Sequence, residues 1–329
     1  MDYFQLLDSF KKKRILVIGD LMLDEYFRGE TSRQSPEASV PVVLAKTHDY
    51  HLGGAANVCA NIAALGGKSA LLGVVGGDEA GKILLGLARK KGIETDFILI
   101  DKSRPTTRKM RIYSNGSHMA RLDEESTSQI AREFENELLE KFQKSLPKTD
   151  CVIISDYNKG VVSKPLAKKC IELANKNGIP ILIDSKNYLS YDLSNATLLK
   201  PNLKELSKET SLPVETNQEI EKAGNILVSK LMPKALIVTA GEKGIFLFEA
   251  GKIARIDGIR TKVVDVSGAG DSVISVLALC IASKSSIHDA AIVANLAASI
   301  AISKHGTAAP LISEIESLIP LKHGKNKSA

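Results

Sequence analysis

The sequence predicts an α/β protein, with a doubly wound, mostly parallel sheet, helices on both of its faces, and a small separate β-sheet acting as a lid. Three observations predict it. Short apolar runs alternate with helix-length segments along most of the chain. Those runs are almost continuously apolar, as strands buried on both faces must be. Glycine or carboxylate clusters recur just after them, where an open α/β sheet binds its ligands.

Taken in order, residues 14–20 (RILVIGD) read as a first strand, and residues 21–24 lead into a polar stretch with Pro36 and Pro41 that reads as a loop. Residues 40–46 and 106–122 alternate like half-exposed strands, and Asn115-Gly116 inside the second is a hairpin signal. These form the lid. Between them fall a helix over 54–65, a strand over 70–75, a helix over 79–91 and a strand over 97–100. From residue 128 the order is helix (128–144), strand (151–156), helix (164–177), strand (180–185), strand (196–201) and helices to about residue 231. A strand over 235–240, a strand pair around GIFLFE and KIARI, and helices over 269–283 and 287–303 complete it. No repeat or linker divides the chain, so residues 1–311 are expected to be one domain. Residues 312–329 then form a C-terminal segment with a basic tail carrying Lys322, Lys325 and Lys327.

Composition excludes several classes. In 329 residues, 44% hydrophobic and 25% charged side chains describe a soluble globular chain. The longest apolar runs, 273–282 and 290–302, are too short or too interrupted to span a membrane, and the charged N-terminal stretch is no signal peptide. A cytoplasmic location is expected. The four cysteines form no C-x-x-C pair and sit in apolar contexts, which suits buried thiols rather than zinc or disulfides. Net charge is +6, aromatic residues are 5% and tryptophan is absent, so a nucleic-acid platform is not expected. A small polyanion suits that charge better.

The chemistry is sought first in Asp265-Val266-Ser267-Gly268-Ala269-Gly270-Asp271. Gly268 and Gly270 let backbone approach a ligand closely, and a helix starting near Ala269 aims N–H groups and its positive dipole end at an anion. Asp271, in the first turn, can accept a proton from a bound hydroxyl. A glycine-bearing turn with an early Asp is also a common structural device. Other clusters are equally two-sided. Asp20 and Asp24 after the first strand bind hydroxyls or cap a turn. Gly53-Gly54-Ala55-Ala56-Asn57 admits a sugar or lets a helix pack tightly. Asn202 and Glu205, three apart at a helix start, orient water on Mg²⁺ or form a capping box. Thr239 to Gly244 contacts nucleotide phosphates or turns a hairpin. Gly76 to Lys82 matches G-x-x-x-x-G-K, but Ile83 replaces the Ser or Thr that a P-loop needs, and Asp78 and Glu79 would repel phosphate.

Together, Gly53-Gly54-Ala55-Ala56-Asn57, Asn202-x-x-Glu205 and Asp265-x-x-Gly268-x-Gly270-Asp271 resemble the ribokinase-like (PfkB) family of sugar kinases, over about residues 12–311. The family fold is a doubly wound α/β domain with a β-lid. A closer likeness is to the D-glycero-β-D-manno-heptose 7-phosphate kinases, often the first half of a bifunctional enzyme. It rests on Gly19-Asp20-Leu-Met-Leu-Asp24, Thr31-Ser-Arg-Gln-Ser-Pro-Glu37, Leu52-Gly-Gly-Ala-Ala-Asn57, Arg121-Leu-Asp123, Ser155-Asp-Tyr-Asn-Lys-Gly160 and His305-Gly-Thr307. Ser39, Ser185 and Asn187 depart from that pattern, standing where Pro, Pro and Gly are usual.

The resemblance implies ATP-dependent phosphorylation of the anomeric hydroxyl of heptose 7-phosphate to the 1,7-bisphosphate, in ADP-heptose and lipopolysaccharide core synthesis. Asp271 resembles the base, and the N–H groups of Gly268, Ala269 and Gly270 the anion hole. Asp24, Gly53, Gly54 and Asn57, with Asp20, would hold the sugar, and Arg121, Lys159 or Lys186 would meet its 7-phosphate. Asn202, Thr239, Gly241, Gly244 and Asn295 would contact ATP, Glu205 would act on Mg²⁺, and Asp265 with the Gly306 region resembles a monovalent-cation (K⁺) site. The half-exposed lid strands could pair two subunits into a homodimer. After residue 311 only a short basic tail remains, so a separate nucleotidyltransferase is expected to act downstream. The alternatives are a kinase of this fold for another sugar or sugar phosphate, and a non-catalytic sugar- or nucleotide-binding regulator.

Overall fold

The computed structural model describes residues 1–304 and 306–319. In chain order its elements are α1 (Tyr3–Ser9), β1 (Arg14–Gly19), β2 (Leu21–Gln34), β3 (Pro41–Gly54), α2 (Ala55–Ala64), β4 (Lys68–Gly76), α3 (Glu79–Lys90), β5 (Ile98–Asp101), β6 (Thr107–Ser114) and β7 (Ser117–Glu124). Then come α4 (Arg132–Ser145), β8 (Cys151–Asp156), α5 (Lys164–Lys176), β9 (Ile181–Ser185), β10 (Leu198–Leu199), α6 (Leu203–Thr210), α7 (Asn217–Leu231) and β11 (Ala235–Thr239). β12 (Ile245–Glu249), β13 (Lys252–Ile256), α8 (Ala269–Ala282), α9 (Ile287–Ile302) and α10 (Ile312–Leu318) complete the chain.

Nine strands make the main sheet, in the order β13-β12-β11-β10-β9-β8-β1-β4-β5. From β11 to β5 all pairings are parallel, and β12 and β13 extend the edge antiparallel. β1 shows why both faces need helices. Ile15 and Val17 belong to the core beneath α2, α8 and α9, while Leu16 and Ile18 belong to the core with Phe142 of α4 and Leu166 of α5. Successive strand residues point to opposite faces, so a strand apolar at every position demands a layer on each side. The four cysteines are free and buried, and among the described residues no helix is long and apolar enough to cross a membrane.

The lid is a four-stranded sheet, β3-β2-β6-β7. β2 runs parallel to β6, and the other two pairings are antiparallel. Asn115 and Gly116 both have positive φ, +50° and +81°, as the tight turn between β6 and β7 requires. The polar stretch after residue 24, expected as a loop, is instead the outer part of the 14-residue β2, and β3 is likewise longer than residues 40–46. The outer part of β2 and residues 47–51 of β3 are exposed or only partly buried, so ladder hydrogen bonds rather than apolar burial hold them, and the apolar signal is missing. α1 and α10 were also unannounced. Ile315 of α10 is fully buried against the core shared with α8 and α9, so the packed domain continues past residue 311. Lys322, Lys325 and Lys327 lie outside the described residues, as does His305 of the His305-Gly-Thr307 motif.

Asp20 has a task other than the expected sugar contact. It is fully buried, and its carboxylate accepts the backbone N–H groups of Tyr157 (2.7 Å), Lys159 (3.0 Å) and Val161 (3.1 Å), tying the loop after β8 to the end of β1. Burial and neighbouring Asp156 push its pKa up, and the three N–H groups partly offset them. Asp78, in the P-loop decoy, caps α3 by accepting from Gly81 N–H. Asp20→Ala is predicted to leave three interior N–H groups without partners and to lower unfolding free energy by roughly 2–5 kcal/mol in urea titrations. Wild-type stability with only a raised sugar KM would instead mark Asp20 as a ligand contact.

Candidate active site

A cleft of about 1010 Å³ opens along the carboxyl ends of the parallel strands, between β8 to β11 and the start of α8. Lys186, Asn202, Thr239, Gly241, Gly244, Gly268, Ala269, Gly270, Asp271 and Asn295, all singled out in the sequence, line it. So do Tyr157, Asp184 and Lys200, which were not. Each comes from a different strand exit, because parallel strands deliver all their carboxyl ends to one edge.

Asp271 is the centre of the site. It is 4% exposed, in the first turn of α8. Its Oδ2 accepts from Asn57 Nδ2 at 2.6 Å, and its Oδ1 accepts from the Tyr157 hydroxyl at 2.5 Å. Burial raises its pKa to about 6, against the opposing effect of those two donors and of Lys200. Gly268 caps α8 in the left-handed region at φ +77°, and, being glycine, supplies no side-chain hydrogen bond to the N–H groups of the first turn. Of the N–H groups expected as an anion hole, that of Ala269 turns back to Val266 C=O at 3.3 Å. Gly270 passes close to Lys200, whose Nζ would stand 3.5 Å from a Cβ there.

The β9 and β10 exits supply charge. Lys200 and Asp184 form an interior ion pair at 2.9 Å, leaving Asp184 Oδ1 buried without a partner. Lys186 pairs with Glu205. Burial alone would lower the Lys186 pKa, but Asp184 and Glu205 raise it further, and the ammonium stays charged. Asn202 and Glu205 form a complete capping box, and the second Glu205 oxygen accepts Asn202 N–H at 2.9 Å. Glu205 is therefore engaged by its own helix and by Lys186, and does not line the cleft. Ser185, at a departure from the family pattern, donates to Asp156 Oδ2 at 2.5 Å and accepts from Asn187 N–H at 3.0 Å. The altered turn is thus tied internally.

The sugar-side residues gather beside the cleft rather than along it. Asp24 on β2 is buried and paired with Arg111 Nη1 at 2.7 Å. Gly53 is required beside it, since a Cβ there would stand 2.7 Å from Asp24 Oδ2. Gly54 adopts φ +57° and turns the chain from β3 into α2, bringing Asn57 to Asp271. Lys159 is bonded to Glu125 at 2.6 Å. Arg121 is half exposed, with Nε 2.9 Å from Asp123 Oδ1 but not aimed to donate to it. Asp265 and Gly306 do come together: Gly306 N–H donates to Asp265 Oδ2 at 3.0 Å, and Ser267 N–H to Oδ1 at 2.9 Å. Burial would raise the Asp265 pKa, but these N–H donors outweigh it and hold the carboxylate ionised. Asn295 donates to the Asp257 carbonyl at 2.8 Å, closing the far end of the cleft. Sequence reasoning missed Tyr157, Asp184 and Lys200. Tyr157 lay inside the Ser155–Gly160 motif already noted, Asp184 directly precedes Ser185, and Lys200 stands two residues before Asn202.

Residues 12–314 match the model of the pfkB family carbohydrate kinase. The chain belongs to this family. It is therefore an ATP-dependent carbohydrate kinase. This kinase is 39% identical over 300 residues to the bifunctional protein HldE of Desulfatibacillum aliphaticivorans, covering 91% of this chain and 61% of that protein. It is 40% identical over 312 residues to the bifunctional protein HldE of Bradyrhizobium diazoefficiens, covering 94% and 63%. The kinase thus spans less than two thirds of the length of these relatives. Its fold matches the ribokinase of Arabidopsis thaliana complexed with ribose and ATP (TM-score 0.73, 23% identity, 94% of this chain and 99% of that one). It also matches phosphofructokinase-2 of Escherichia coli in complex with potassium (TM-score 0.76, 21% identity, 93% and 97%).

A base must be ionised to take a proton, so the kcat/KM of this kinase is predicted to fall as pH drops through about 6. Tyr157→Phe removes a donor that stabilises the charged form, so the acid limb should move to higher pH. An unmoved limb would show that Asp271 is not the titrating group.

Proposed function

We propose that this kinase transfers the γ-phosphoryl group of ATP to the anomeric hydroxyl of D-glycero-β-D-manno-heptose 7-phosphate, giving the 1,7-bisphosphate. One observation carries the chemistry: a buried carboxylate of raised pKa, Asp271, stands in the first turn of an uncapped helix at the head of the cleft. The substrate assignment is supported by 39–40% identity to proteins named HldE and by the heptose-kinase segments noted in the sequence.

In this reading Asp271 takes the proton from the attacking hydroxyl, and Asn57 keeps its carboxylate aimed. The start of α8 provides N–H groups and a positive dipole end for the transferring group. Thr239, Gly241, Gly244 and Asn295 place the nucleotide along the far wall. Among the described residues no three His, Cys, Asp or Glu side chains form a metal cage. That donor set fits Mg²⁺, which keeps waters and binds through few carboxylates together with phosphates. Asp184, through its unpartnered Oδ1, would hold it, and Glu205 would act through water only once released from Lys186. Held there, Mg²⁺ would supply positive charge against the phosphates. Asp265 and Gly306 would close a K⁺ site beside the start of α8. Two copies would pair through the lid, where Leu44 and Leu122 are 68% and 60% exposed. The reaction would take place in the cytoplasm as a step toward ADP-heptose, with the nucleotide added by a nucleotidyltransferase.

Asp271→Asn is predicted to reduce turnover by roughly 10²- to 10⁴-fold with little change in nucleotide affinity. Near-normal ADP release by this variant would remove the base assignment. In a panel of sugars followed by ADP release, heptose 7-phosphate should give the highest kcat/KM. Preference for ribose or fructose would overturn the substrate and leave the kinase chemistry standing.

A further inference from the structure

The inner face of the lid carries a group of charges beside the base. β2, β6 and β7 run side by side, and Asp24, Lys109 and Asp123 occupy one register row across them, so their side chains leave the same face. The next row along brings Arg111 and Arg121 to that face. The loop after β8 approaches it with Tyr157 and Lys159. Four cations therefore meet here, Lys109, Arg111, Arg121 and Lys159, and three carboxylates, Asp24, Asp123 and Glu125. Three of the cations each have a carboxylate oxygen within 3 Å: Arg111 has Asp24, Arg121 has Asp123 and Lys159 has Glu125. Lys109 pairs with none of them. Its ammonium lies 5.9 Å from the centre of the Tyr157 ring, which Lys186, already paired with Glu205, approaches at 5.2 Å.

An unpaired ammonium that is more than half buried costs free energy unless an anion accompanies it. Burial lowers the Lys109 pKa, and Asp24, Asp123 and Glu125 only partly oppose this while Lys159 adds to it. The geometry also gives the anion a position. Tyr157 separates two functions: its hydroxyl touches Asp271 at 2.5 Å and its ring faces Lys109. A sugar whose reacting hydroxyl replaces the tyrosine hydroxyl at Asp271 would extend past that ring toward the lid. Phosphate on its far carbon would then reach Lys109.

We propose that Lys109 is the lid residue that binds the phosphate already carried by the sugar substrate, and so selects phosphorylated over unphosphorylated sugars. This rests on the kinase reading above and differs from the sequence expectation, in which Arg121, Lys159 or Lys186 held that phosphate. Each of those three is matched by a carboxylate of this chain.

The test compares kcat/KM for heptose 7-phosphate and for the same heptose without phosphate, in wild type, Lys109→Gln and Lys109→Arg, with thermal melting to confirm folding. The expected result is a phosphorylated-over-neutral preference that drops roughly 30-fold or more in Lys109→Gln, mostly through KM, and is largely restored in Lys109→Arg. Equal losses on both sugars, an unchanged preference, or a wild type that favours the neutral sugar would overturn the proposal. If another sugar phosphate proves the better substrate and shows the same dependence on Lys109, the role of Lys109 stands and only the heptose assignment falls.

Discussion

The site depends on keeping a carboxylate charged where water is scarce. Ionised Asp271 is costly in the interior, and two donors offset that cost, Asn57 from α2 and Tyr157 from the loop after β8. Neither donor arrives unaided. Gly54, at a φ that other residues rarely adopt, turns β3 into α2 and so places Asn57. Asp20 holds three N–H groups of the loop that carries Tyr157. Four separate chain segments thus converge on one side chain, and the sheet brings them together because its parallel strands end on the same edge.

Charge is distributed unevenly around that centre. On the nucleotide side, Lys200 is matched by Asp184 and Lys186 by Glu205, so those ammonium groups have partners before any ligand arrives. On the lid side, Arg111 and Lys159 are matched as well. A rigid set of internal ion pairs fixes positions rather than binding new anions, since breaking a buried pair leaves an uncompensated charge. Lys109, by contrast, has no carboxylate partner, and the start of α8 is positive through its dipole; in the proposed reading they would stand near the two ends of a bound sugar phosphate. A phosphoryl acceptor that already carries a phosphate requires that arrangement: one electropositive point where charge develops and another where it is already present.

The main sheet was legible because parallel strands buried on two faces produce unbroken apolar runs, and β1, β4, β8, β9 and β11 all have them. The outer part of β2 and the stretch of β3 from residue 47 were not legible. Their residues alternate weakly and are mostly exposed or half-buried, so pairing of β2 with β3, and of β2 with β6 as far as Gly29, makes them strands rather than local composition. Asp271, Asn57 and the nucleotide-side glycines could be found because small residues beside carboxylates at strand exits have few other uses. Asp20 was two-sided for the same reason: a carboxylate after a strand looks identical whether it meets a sugar or its own backbone. Tyr157, Lys109 and Asp184 were hidden because nothing in the type of a lone Tyr, Lys or Asp, even inside a noted segment, marks its role. What gives each its place is a neighbour far away in sequence: Asp271 for Tyr157, the Tyr157 ring for Lys109 and Lys200 for Asp184.

The central claim is that the acceptor hydroxyl takes the position now held by the Tyr157 hydroxyl against Asp271. A crystal structure of the kinase with the sugar phosphate and a non-hydrolysable ATP analogue tests this most directly. The account predicts the attacking oxygen about 2.6–3.2 Å from an Asp271 carboxylate oxygen, with the Tyr157 hydroxyl displaced. A sugar seated with Tyr157 still bonded to Asp271, and no substrate hydroxyl within reach of that carboxylate, would contradict it.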